Sequence, residues 1–124
     1  MPTRERVQAF VAMVEANRFV EAIREFYTVD ATMQENLGEV RAGLDALVAG
    51  EEAALRRVAS ITTRPGSTCA IDGDRVIVHW VFDIEQADGK RFTLDELAYQ
   101  TWRGDRIAQE RFYYDPAQRA RSTA

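Results

Sequence analysis

The chain has one cysteine, Cys69, and one histidine, His79. A lone cysteine excludes an internal disulfide, so Cys69 reads as a small buried hydrophobe. One His and one Cys cannot build a zinc site of the usual nitrogen and sulfur type, and no metal or other cofactor is expected. Long apolar runs are missing: none approaches the roughly 20 residues needed to cross a bilayer. The opening Met-Pro-Thr-Arg-Glu-Arg lacks an apolar signal core. These absences predict a cytoplasmic, reduced protein without membrane contact. Clusters of Lys and Arg are missing too. Acids and bases intersperse around a net charge of −4, so no nucleic-acid surface is expected.

What is present suits one globular domain. The 124 residues are 46% hydrophobic and 29% charged, enough for a single core over residues 1–124 with a cavity inside it. The first half has helical periodicity. Thr3 to Ala16 reads as a helix capped by Thr3, with Val7, Phe10, Val11 and Val14 on its buried stripe and Asn17 as a left-handed stop. A second helix spans Arg18 to Tyr27, with Phe19, Ile23, Phe26 and Tyr27 on its apolar face. Thr28-Val29-Asp30 breaks that pattern, Ala31 to Glu35 reads as a short extended segment, and Asn36 to Gly43 as an irregular loop. A third helix spans Leu44 to Val58, with Leu44, Leu47, Val48, Leu55 and Val58 on one side. Gly50 weakens it by about 1 kcal/mol.

From Ser60 the period becomes alternating. Ser60–Ile71, Arg75–Glu85, Lys90–Arg103 and Arg106–Tyr114 read as four strands, punctuated by Gly73-Asp74, Ala87-Asp88-Gly89 and Gly104-Asp105. Asp115-Pro116 ends the last strand, and the polar tail 117–124 is expected to be frayed and flexible. Helices followed by antiparallel hairpins predict an α+β fold.

Alternation assigns faces to the strands. Val76, Val78, Trp80 and Phe82 share a side, as do Leu94, Glu96, Ala98, Gln100 and Trp102, and again Ala108, Glu110, Phe112 and Tyr114. If all three sets face inward, Trp80, Phe82, Trp102, Phe112 and Tyr114 line an apolar cavity whose polar members are Glu96, Gln100 and Glu110. That is the usual build of a small-molecule site. A one-residue slip would reverse every assignment. Glu110 is the sharpest catalytic candidate, because a carboxyl among aromatics has a raised pKa suited to proton transfer. Its alternative is an arginine pair at the rim. Gln100 and Tyr114 are candidate hydrogen-bond partners, and Trp80 and Trp102 are either core or a ligand platform. His79 lies opposite Trp80 on the outer face. There Ile77, Val81, Leu97, Tyr99 and Tyr113 form an apolar strip, which predicts a homodimer through the sheet.

The run Phe26-Tyr27-Thr28-Val29-Asp30-Ala31-Thr32-Met33-Gln34-Glu35, then Gly38 to Gly43, then Tyr99 to Ile107 and Glu110-Arg111-Phe112-Tyr113-Tyr114-Asp115-Pro116, resembles the nuclear transport factor 2-like superfamily. Within it, the chain resembles the SnoaL-like and ketosteroid isomerase-like proteins along nearly its whole length. The resemblance implies a cone-shaped cystatin-like roll, with three N-terminal helices packed on a curved antiparallel sheet. It also implies a pocket for a small hydrophobic molecule. The superfamily hosts isomerases, cyclases, dehydratases, epoxide hydrolases and pure binding modules, so it does not fix the activity.

Residue by residue, the ketosteroid isomerase base falls on Glu35. That family's tyrosine oxyanion donor falls on Phe10, which has no hydroxyl but remains a candidate ligand contact. Its protonated aspartate falls on Ala98. Two of three parts are missing, which counts against steroid isomerisation. The Asp and His pair of polyketide cyclases has only His79 to draw on, dehydratase chemistry with more than one histidine is excluded by count, and no Asp-Arg-Asp arrangement of epoxide hydrolases is found. Three functions stay open. One is cofactor-free acid/base chemistry, an isomerisation, cyclisation or dehydration of a hydrophobic carbonyl compound, with Glu110 or Glu35 as base. Another is a non-catalytic ligand-binding or dimerisation module. The third is an assembly subunit with a filled pocket, which predicts no cavity.

Overall fold

The computed structural model describes residues 1–123. Three helices come first, α1 (Arg4–Glu15), α2 (Phe19–Phe26) and α3 (Leu44–Arg56), with strands β1 (Tyr27–Glu35) and β2 (Arg41–Ala42) between the last two. Five strands follow: β3 (Val58–Thr63), β4 (Thr68–Asp72), β5 (Arg75–Gln86), β6 (Arg91–Arg103) and β7 (Arg106–Tyr113). A short α4 (Ala117–Ala120) closes the described chain. The sheet order is β2-β1-β7-β6-β5-β3, with β4 also paired to β5. All pairings are antiparallel except β1 with β7.

Local chemistry explains the helix ends. The Thr3 hydroxyl accepts from the Arg6 amide at 3.1 Å, which satisfies a free N–H of the first turn. Asn17 takes φ 62° just after α1, the left-handed stop that its short polar side chain tolerates. Along β5 buried and less buried residues alternate strictly, so Val76, Val78, Trp80, Phe82 and Ile84 meet the helices. Phe10 of α1 sits at the centre of this core. Its ring meets those of Phe26, Tyr27, Trp80 and Trp102 edge-on, with centroids 5.4 to 6.2 Å apart.

The structure differs from the sequence expectation at four places. The strand expected over Ser60–Ile71 is two strands, both paired with β5 and separated at Arg64-Pro65-Gly66-Ser67. Pro65 cannot donate to a ladder and Gly66 takes φ 80°. Thr28-Val29-Asp30 does not end an element but lies inside β1. The break appears there as a register shift between Tyr27 and Thr32 against β7. The expected loop before α3 contains β2. In the C-terminal segment, expected to be frayed, α4 docks on β6. Gln118 accepts from the Asp95 amide at 2.7 Å and donates to its carbonyl at 3.1 Å, and Thr123 exchanges backbone hydrogen bonds with Arg91. Residue 124 lies outside the described residues.

Candidate functional site

The concave face of the sheet, closed by the helices, gathers the polar groups. Its rows follow from register. Glu110 lies opposite Gln100 on one side and Met33 on the other. Ala98 pairs with Phe112, which pairs with Glu35, and Trp80 pairs with Glu96. Between Thr101 and Trp102 the β6–β7 register shifts, so that Trp102 pairs with Ile107. Ala108 is the extra residue of that bulge. The expectation that Ala108 lines the interior is therefore corrected: Ile107 is fully buried there and Ala108 only partly. The bulge lets Ile107 and Glu110 face inward together, although their spacing is odd.

Four side chains make a continuous chain of hydrogen bonds. The Trp102 indole N–H donates to Gln100 Oε1 at 2.9 Å, and Gln100 Nε2 donates to Glu110 Oε2 at 2.6 Å. The Tyr27 hydroxyl donates to the other oxygen of Glu110. Glu110 is 2% exposed and Gln100 fully buried. Burial pushes the Glu110 carboxyl up to about 7, against the pull of the Tyr27 and Gln100 donors, which favour its charged form. Burial, then the neighbouring Glu110 charge, holds the Tyr27 hydroxyl far above its ordinary pKa, so it stays a donor.

Glu96 lies on the same face of β6. Burial, then the charges of Glu110, Glu35 and Glu51, push its carboxyl up to about 8. No hydrogen bond or ion pair from the described residues reaches it. Toward the open end, the Tyr114 hydroxyl donates to Glu35 Oε1 at 3.1 Å. Tyr114 is raised to about 12 by burial and by Glu35. Glu51 of α3 is raised by burial and by Glu35, with Arg41 opposing.

Of the expected site residues, Trp80, Trp102 and Phe10 are 2% exposed and packed together as core. Phe112 and Tyr114 are half-buried nearer the opening, while Glu35 is exposed at the end of β1. The expected aromatic cavity is thus filled at its base by Phe10, Trp80, Phe82 and Trp102. Two cavities lie elsewhere. One of about 560 Å³ runs along Ser60, Asp83, Arg91 and Arg121, and one of about 280 Å³ lies between α1 and Cys69 and Ile71 of β4. Neither is lined by Glu96 or Glu110.

Two members of the cluster were not singled out from sequence. Tyr27 reads as apolar stripe, and it is buried, but a buried tyrosine hydroxyl needs a partner. Glu51 continues the spacing Leu44, Leu47, Val48, Leu55, so an acid on the buried stripe was the available signal. His79 lies on the outer face, its Nε2 2.6 Å from Asp95 Oδ1. Among the described residues, no group of three or more His, Cys, Asp or Glu is arranged to hold a metal ion, and no helix is long and apolar enough to cross a membrane.

Solved structures share this architecture. A candidate polyketide cyclase of Pseudomonas putida superposes with a TM-score of 0.81 at 19% identity, covering 100% of this chain and 99% of that one. A candidate SnoaL-like polyketide cyclase of Mesorhizobium loti gives 0.76 at 23% identity, covering 92% and 100%. A protein of ketosteroid isomerase-like fold from Catenulispora acidiphila, in complex with trimethylamine, gives 0.77 at 18% identity, covering 94% and 89%. No curated protein sequence matches the chain significantly. The profile of the SnoaL-like domain matches residues 7–110, from the buried stripe of α1 to the carboxyl at the centre of the cluster, and the chain belongs to that family.

Proposed function

We propose that the cone interior binds a small apolar carbonyl compound and exchanges a proton with it without a cofactor, through Glu110. The observation that carries this is the hydrogen-bonded chain ending at Glu110. Two donors hold that carboxyl in one orientation inside a nearly dry interior, with its pKa brought to about 7. A base poised near the working pH transfers protons most efficiently. Gln100 and Tyr27 position it, and Phe112 and Tyr114 border the way in. Glu96, the inner-face carboxyl that no protein group meets, is assigned to the ligand's polar group. Glu35, on the rim and held by Tyr114, is assigned to the entrance rather than to proton transfer.

One observation favours the alternative, a ligand-binding module without turnover. Both oxygens of Glu110 already have protein donors, which leaves less of the carboxylate free to reach a substrate. Solvent exchange separates the two readings. Benzylacetone in deuterated buffer is followed by NMR for loss of the protons beside its carbonyl. The enzyme reading expects protein-dependent exchange that rises with pH through about 7, where Glu110 ionises, and that Glu110→Gln abolishes. Binding without exchange supports the module. Exchange that Glu110→Gln leaves unchanged removes Glu110 from the chemistry.

We further propose that two copies pair through the outer face of the sheet. Ile77, Leu97, Tyr99 and Tyr113 are 36 to 45% exposed there and lie side by side across β5, β6 and β7.

A further inference from the structure

Strand β4 pairs with β5 along one side only. The loop Gly73-Asp74 joins the two, with Asp72 opposite Arg75. A two-residue loop closes on a hydrogen-bonded pair, and hydrogen-bonded and open pairs then alternate along an antiparallel ladder. Thr68, Ala70 and Asp72 therefore bond to β5, while Cys69 and Ile71 aim their N–H and C=O groups away from it. Neighbouring bonds have the same phase: the Arg64 amide donates to the Val81 carbonyl, and the Thr63 amide, turned away from β5, donates to Asn17 Oδ1. Among the described residues, no group outside β5 bonds to the backbone of residues 68–72. The cavity of about 280 Å³ lies along this edge, with Cys69 and Ile71 on one side and Val7 and Val11 of α1 on the other.

An unpaired edge is a template for another strand, and proteins usually blunt it with Lys, Pro or brevity. The far edge of this sheet is blunted by brevity, since β2 has 2 residues. β4 has 5, Thr-Cys-Ala-Ile-Asp, with neither Lys nor Pro among them. Its own register selects the strand that suits it. Set against a second copy about a two-fold axis at Ala70, Cys69 falls opposite Ile71 of that copy, and Ile71 opposite its Cys69. These are the residues whose N–H and C=O groups are free, so each such pair exchanges both hydrogen bonds. Their side chains share the inner face with Val78 and Val76 and form apolar cross-strand pairs. Charge fits the same axis. Met1 Sδ lies beside Gly73, and Glu15 Oε2 accepts from the Ser67 amide and hydroxyl, so α1 runs antiparallel to β4. Ser67 of one copy falls opposite Gly73 of the other, which brings Glu15 of the first to the Arg4 end of the second. Arg4 is exposed and has no ion pair among the described residues, and Glu15 has Oε1 to spare. An extended segment of a different protein would gain the backbone bonds without the matched charges.

We propose that β4 pairs antiparallel with β4 of a second copy, centred on Ala70, so that two sheets join edge to edge with Arg4 of each copy facing Glu15 of the other. The contact is separate from pairing through the outer face and does not rest on it. Strands of 5 residues bury less than the roughly 1,000 Å² that a stable interface needs. The contact is therefore transient by itself, and it strengthens wherever another contact already holds copies together.

The test traps the contact as a disulfide, in Leu97→Glu protein so that the outer face contributes nothing. Ala70 meets Ala70 of the second copy in an open pair, where Cα atoms lie about 4.5 Å apart, within disulfide range. Thr68 meets Asp72 of the second copy instead, which leaves the two Thr68 residues about 14 Å apart along the strands. Both positions are exposed, and Cys69→Ala removes the native thiol from each variant. Under diamide oxidation, Cys69→Ala/Ala70→Cys should form a covalent dimer about tenfold faster than Cys69→Ala/Thr68→Cys, because only the first has disulfide geometry. A non-reducing gel reads the rates. Arg4→Glu should slow trapping at Ala70→Cys severalfold and leave thermal unfolding unchanged. Equal rates at the two positions overturn the register and with it the proposal. No dimer at either position overturns self-pairing and returns the edge to an extended segment of a different protein, while outer-face pairing is judged separately by sedimentation. Trapping at Ala70→Cys that ignores Arg4→Glu overturns the pairing of Arg4 with Glu15.

Discussion

At the residue scale the interior is governed by two carboxyls that hold their protons unusually well. Glu110 is raised from 4.5 to about 7 and Glu96 from 4.5 to about 8, both chiefly by burial. A raised carboxyl binds its proton more tightly folded than unfolded. Its contribution to stability is therefore complete below about pH 4.5 and is lost as pH rises through 7 to 8. The free energy of unfolding should fall by a few kcal/mol between pH 6 and 9, since each pKa unit is about 1.4 kcal/mol. Glu96→Gln should flatten that fall. Chemical denaturation at a series of pH values checks it, and a profile unchanged by the substitution refutes the role of Glu96. Tyr27→Phe removes a donor to the charged form of Glu110. It should raise the Glu110 pKa further and cost about 1–3 kcal/mol, the penalty of a buried group losing a partner. NMR titration of the Glu110 carboxyl carbon reads the first effect and urea unfolding the second.

At the element scale, interruptions of regular structure place the site. The bulge at Ala108 turns Ile107 and Glu110 to the same face of β7. The shift between Tyr27 and Thr32 separates two functions of β1, whose start delivers the Tyr27 hydroxyl to Glu110 and whose end carries Glu35 to the rim. Gly50 has a local reason as well: a Cβ there would lie 2.6 Å from Arg41 Nη1, so the glycine leaves room for the guanidinium beside Glu51. The short α4 is held to β6 mainly by Gln118, whose amide group spans the Asp95 backbone. Gln118→Ala should lower global stability by no more than about 1 kcal/mol. It should speed amide exchange at Asp95 by a larger factor, because a terminal helix opens locally. Hydrogen exchange by NMR distinguishes this from uniform destabilisation.

At the scale of the whole molecule, the sheet has two faces with opposite problems. The inner face buries charge, and the outer face leaves Leu97, Tyr99, Tyr113 and Ile77 partly in water around the His79–Asp95 pair. Pairing of two copies would cover those side chains. Leu97→Glu places a charge in the middle of that strip and is expected to shift sedimentation from dimer to monomer without changing the far-ultraviolet circular dichroism. A wild-type protein that sediments as a monomer at tens of micromolar refutes the pairing. The three helices ahead of the hairpins, the inward set on β5 and β6, and the inward turn of Glu110 were legible from periodicity, whereas β2, α4 and the division of β3 from β4 were not. The closed base of the interior was not. Alternation says which side a side chain takes, not how far Phe10 reaches across to fill the space between Trp80 and Trp102.

The sequence by itself determined the fold class, because the change from a 3.6-residue to a two-residue period is a local property of the chain. It also determined Thr3 and Asn17 as the ends of α1, since caps depend on residues a few positions apart. Tertiary structure alone decided that Tyr27 and Glu110, 83 positions apart, share a hydrogen bond. It alone decided that Glu51 of a helix raises the pKa of Glu96 of a strand, and that the alternation of β7 slips at Ala108. The physical reason is range. Propensity and periodicity act over one or two turns, whereas the desolvation and charge coupling that define this site exist only once distant elements have closed around it.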